Sequence, residues 1–70
     1  MSLDIVVGYA GCAVAIARDH YPVTLQHVNY WGEPTDLAPK IIFRNYTELK
    51  AFTDRMDREH VAPWRLRSGS

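Results

Sequence analysis

The apolar positions fall into five blocks separated by glycine, proline or charge. The first, Asp4 to Tyr9, carries Ile5, Val6 and Val7, a β-branched run that predicts a short buried strand. Gly8 and Gly11 interrupt it. The second block, Cys12 to Asp19, fits two periods. As a strand it puts Val14, Ile16 and Arg18 on one face and Ala13, Ala15 and Ala17 on the other. As a helix its alanines are strong formers and Pro22 stands just past its end. The strand is favoured, because Asp19-His20-Tyr21-Pro22 makes a tight connection to the β-rich run Val23 to Trp31, giving a hairpin.

That long run changes phase. Val23 and Leu25 have one parity and Val28 and Tyr30 the other, so either both faces are partly covered or a bulge lies near Gln26 and His27. Gly32 to Pro39, with two prolines and a glycine, predicts a loop, and Lys40 to Arg44 a third strand. A helix follows. Asn45 or Thr47 caps it, and Glu48 stands three residues after Asn45. Leu49, Phe52 and Met56 share one face, Asp54 and Arg58 are spaced for an ion pair, and Pro63 ends the helix. The expected class is α+β: an antiparallel sheet of three to four strands packed on one C-terminal helix, with β-α-β-β-α as the alternative. Residues 1–63 form the single domain, and 64–70, ending Ser68-Gly69-Ser70, read as a flexible tail.

Composition narrows the function. Eight basic against eight acidic residues give a formal net charge of +0, so no overall field draws the chain to nucleic acid or an anionic membrane. The Ile5 to Ala17 stretch is too short to span a bilayer and lacks a basic start, which makes cytoplasmic the expected location. One cysteine forms no internal disulfide, and a free thiol agrees with a reducing compartment. A 70-residue chain buries only about 60% of its unfolded surface, so a homodimer or a partner complex is expected to help hold it.

Chemistry-bearing residues are sparse. Cys12 lies among Gly11 and Ala13 without a family-type nucleophile sequence, and reads as a small buried apolar residue. His20, His27 and His60 lack metal-ligand spacing, so no metal or cofactor is expected. The carboxylates are scattered, and so short a chain leaves little room for a pocket of several hundred Å³. An enzyme is not expected. The aromatics are the better lead. Tyr30 and Trp31 enter the loop and Trp64 follows Pro63; Tyr, Trp and Arg are the types that anchor protein interfaces. The partner-binding candidates are therefore Tyr30, Trp31 and Trp64, with Glu33, Asp36 and Arg65 as rim charges, weighed against a simple core or lid role for the aromatics. The competing reading is a small nucleic-acid-binding module that uses a sheet face with Lys40, Arg44 and Lys50.

The hairpin, a third strand ending Phe43-Arg44-Asn45 and a helix opening Tyr46-Thr47-Glu48-Leu49 together resemble small phage-encoded proteins of the anti-CRISPR inhibitor type. The resemblance covers roughly residues 13 to 60, at the level of pattern. It implies a non-enzymatic protein that covers a functional surface of a host complex, and it carries over no individual residue.

Overall fold

A computed structural model describes residues 2–37 and 40–68. Six elements follow one another: β1 (Asp4–Val7), α1 (Gly11–Ala17), β2 (Val23–His27), β3 (Ile41–Phe43), α2 (Tyr46–Arg58) and β4 (Trp64–Ser68). The strands form one sheet in the order β1-β4-β2-β3, with every neighbouring pair antiparallel. β1 and β2 therefore run parallel with β4 between them, and β3 and β4 run parallel with β2 between them. Two split β-α-β units interlock through their strands.

One face of the sheet is apolar and carries both helices. Val7, Val23, Leu25, Phe43, Trp64 and Leu66 point into a core completed by Ala10, Ala13 and Ala17 on the α1 side and Leu49 and Met56 from α2. The alternate residues, among them Asp4, Val6, Thr24, Gln26, Ile42, Arg65 and Arg67, face the other way by strict alternation along each strand. Among the described residues no helix lies over that second face. The class is α+β, an antiparallel sheet with helices on one side.

Several elements depart from the sequence expectations. Residues 11–17 are a helix, not the favoured strand. Ala10, Ala13 and Ala17 recur at helical spacing and are fully buried, which lets α1 lie close on its neighbours. α1 has no side-chain cap of its own; Asp57 of α2 accepts the Gly11 amide at 2.9 Å instead. A Cβ on Gly11 would stand 2.6 Å from that carboxylate oxygen, so a side chain there would displace the carboxylate. β2 keeps continuous register with β4 and has no bulge at Gln26 or His27: the phase changes because the strand ends at His27.

In α2, Asn45 caps the helix as expected, accepting the Glu48 amide at 2.9 Å. Asp54 pairs with Lys50 rather than with Arg58. The helix closes before Pro63 is reached. His60 takes a left-handed φ of 57°, its amide donates to Asp57 O, and the Val61 amide donates to Met56 O, the two bonds of a Schellman turn.

The largest correction is at the C-terminal end. Residues 64–68 are not a tail but β4, an interior strand paired on both sides. Gly69 and Ser70 lie outside the described residues, as do Ala38 and Pro39 of the expected loop.

Candidate recognition surface

The chain beyond β2 makes a short projecting turn whose shape is set by Asn29. Its side-chain Oδ1 accepts the amides of Trp31 at 2.9 Å and Glu33 at 3.0 Å, and its Nδ2 donates to Glu33 Oε1 at 3.0 Å. Its backbone closes the same loop: Asn29 O accepts the Gly32 amide at 2.9 Å, and the Asn29 amide donates to Glu33 O at 2.8 Å. Gly32 takes φ +81°, a conformation that suits glycine. Below the tip, Val28 bridges Pro34, and the Thr35 amide donates to His27 O at 3.1 Å. The His27 ring bonds Thr35 Oγ1 through Nδ1 and Ala62 O, at 3.1 Å, through Nε2. A carbonyl only accepts, so Nε2 carries the proton in this arrangement.

The turn leans on the open face of the sheet. Arg65 donates from a guanidinium nitrogen to Gly32 O at 3.4 Å and from Nε to Asp4 at 2.9 Å, and the Arg67 Nε stands 3.4 Å from the same carboxylate. Val6 Cγ2 lies 3.8 Å from where a Gly32 Cβ would be. The tip is thus fixed to β4 and rests beside β1.

On this held frame Tyr30 is 94% exposed and Trp31 83% exposed. Neighbouring β1 adds Val6, 44% exposed, on the same face, while Ile5, 40% exposed opposite Leu66, borders the helix side of that edge. Large aromatics in water on a rigid turn lose little conformational freedom when a partner covers them, a favourable arrangement for recognition.

The other sequence candidates divide. Glu33 stays in the turn but spends one carboxylate oxygen on Asn29, and Asp36 is exposed three residues further on. Arg65 is half-buried and holds the turn to the sheet, so it acts as a positioning residue beneath the aromatics. Trp64 is not at the surface. It is fully buried, its indole N–H donates to Val61 O at 2.8 Å, and its ring meets His27 and Phe52 edge-on. Its alternation with Leu66 marks it as a core-facing strand residue. Lys40 and Arg44 are exposed at either end of β3, while Lys50 belongs to α2 and is tied to Asp54 at 2.7 Å. The three basic residues do not line one sheet face.

A cleft of about 440 Å³, larger than so short a chain suggested, is lined by Tyr9, Asp57, His60, Val61 and Ala62. Of the Asp57 oxygens, Oδ2 holds the Gly11 amide and Oδ1 is buried with no partner among the described residues. The Tyr9 phenol is pushed above its usual pKa, first by hydrogen bonding to Cys12, then by the negative charge that Cys12 carries as a thiolate, by burial and by the Asp57 carboxylate. It therefore stays protonated at neutral pH. Cys12 itself is partly buried on α1. Among the described residues no helix is long and apolar enough to cross a membrane. The chain matches no protein-family model, no curated protein and no solved structure.

Proposed function

We propose that this chain is a non-catalytic recognition module that lays the Tyr30–Trp31 turn, with the adjoining edge of β1, on the surface of a protein partner. The observation that carries the reading is the exposure of two adjacent aromatics on a turn braced by Asn29 and Arg65. Loose surface aromatics need no explanation, but a network of hydrogen bonds that keeps two of them in water does. In the finer form of the reading the covered surface belongs to a host complex and the module acts as its inhibitor.

Photo-crosslinking in the native cell tests it. A benzophenone amino acid placed at position 30 or 31 is expected to give discrete protein adducts, and the same probe at Lys50 on α2 to give none. Adducts only at position 50, or equal yield at all three positions, would remove the turn from the interface.

A further inference from the structure

The outer edge of β1 shows what it is built to meet. The Ser68 amide donates to Leu3 O at 2.9 Å, which marks Leu3 and Ser68 as a hydrogen-bonded pair of the antiparallel β1–β4 ladder. Such pairs alternate, so Ile5 and Val7 also bond inward to β4. The backbone groups of Asp4 and Val6 consequently point out of the sheet, where β1 is the terminal strand. Natural edges are usually blunted by an outward charge or a proline. Here the only charge on β1, Asp4, is drawn across the open face by Arg65 and Arg67, leaving Ile5 and Val6 as the exposed side chains of the edge.

We propose that this edge takes a second copy of the chain, β1 against β1 in antiparallel register about a two-fold axis through Ile5. The geometry closes on itself. Ile5 then faces the second copy's Ile5 as a non-bonded pair, where side chains approach most closely. Asp4 faces the second copy's Val6, so outward N–H and C=O groups meet their complements and no carboxylate opposes another. Directly opposed residues have equal parity, so both helical layers fall on the same side of one continuous sheet. Because each turn rests beside Val6, the two Trp31 turns flank the axis on the open face. The exposed parts of Ile5, Val6, Tyr30 and Trp31 set a ceiling of roughly 600 Å² per copy on what these side chains add to the contact, against about 800 Å² per partner in a standard interface. Strand pairing supplies the remainder as backbone contact. The second copy is then the protein partner of the turn, in place of a host surface, so the inference rests on the turn's being a contact surface for part of this area; the strand pairing itself stands on the backbone.

Sedimentation equilibrium on the full chain tests it. At about 100 μM, within reach of an interface of this modest size, the mass is expected to be twice the 8.0 kDa chain mass. Val6→Pro removes one outward donor without touching a β4 bond and is expected to return the monomer mass; Val6→Thr, which keeps the N–H, is expected to remain dimeric. If the proline variant fails to fold, a synthetic chain N-methylated at Val6 makes the same deletion. A monomer at every concentration overturns the proposal. So does a dimer that survives loss of the Val6 N–H. A dimer lost in Trp31→Ala but kept in Val6→Pro overturns the strand pairing while leaving the turn as a contact surface.

Discussion

The two tryptophans occupy opposite physical situations thirty-odd residues apart. Trp64 begins an interior strand, is enclosed by His27, Phe52 and the helices, and has its one polar atom satisfied by Val61 O. Trp31 stands in water at the tip of a turn, and its surroundings are organised around its backbone rather than its ring. The first is scaffold and the second is display. The contrast teaches that aromatic content in a small chain has two uses, and that what separates them is where the neighbouring hydrogen bonds go.

The largest effect that can break this contrast is at Trp64. Trp64→Ala is expected to cost about 3–5 kcal/mol and to unfold so small a domain, read by urea titration with circular dichroism. A folded variant with near-normal stability would place Trp64 outside the core. Next comes Trp31→Ala, expected to weaken binding to a crosslinked partner by about 2 kcal/mol, or roughly thirty-fold, in calorimetric titration. Asn29→Ala sharpens the comparison further. It leaves both rings in place but removes the acceptor for two amides, and is expected to cost about 1 kcal/mol of the same binding through lost pre-organisation. An unchanged affinity would mean that the turn keeps its shape without Asn29.

The smallest effect concerns the scaffold alone. The Tyr21 phenol is pushed up by burial and then by Tyr46, and the Lys50 ammonium is pushed up by its hydrogen bond to Asp54. Groups with raised folded pKa values contribute stability that is complete below their unfolded values, here 10.0 and 10.5, and is lost as pH rises through the folded ones. Melting temperature is therefore expected to fall between about pH 10 and pH 12 and to be flat with respect to these groups below pH 9. Stability that rises across the alkaline range would contradict these surroundings.

Much of the scaffold could be read from residue patterns. The β-branched Ile5-Val6-Val7 marks a strand, though an exposed edge rather than the buried strand expected, and the Val23 and Leu25 alternation and the Asn45 cap with Leu49 and Met56 act through local rules that tertiary contacts left in force. The two misreadings have different causes. α1 has just seven residues and is capped by a side chain from α2, a partnership that no local window contains. Its readable trace was the spacing of Ala10, Ala13 and Ala17, where small size rather than hydrophobicity sets the close approach. β4 was legible, since Trp64-Arg65-Leu66-Arg67 alternates cleanly, but its position after a proline and before Ser-Gly-Ser disguised an interior strand as a loose end. For the site, residue type alone pointed equally to Tyr30, Trp31 and Trp64. Only the strand pairing of β4 separates Trp64 from the other two, and only the Arg65 contacts show that this arginine supports the turn from below.

Equilibrium unfolding of Trp31→Ala in urea, kept dilute so that association does not contribute, bears most directly on the idea that the turn exists for contact rather than for folding. An unfolding free energy within about 0.5 kcal/mol of the parent chain is the expected result, the ordinary range for a surface substitution. A loss of several kcal/mol would show that the ring helps to hold the domain together, and the recognition surface would have to be sought elsewhere.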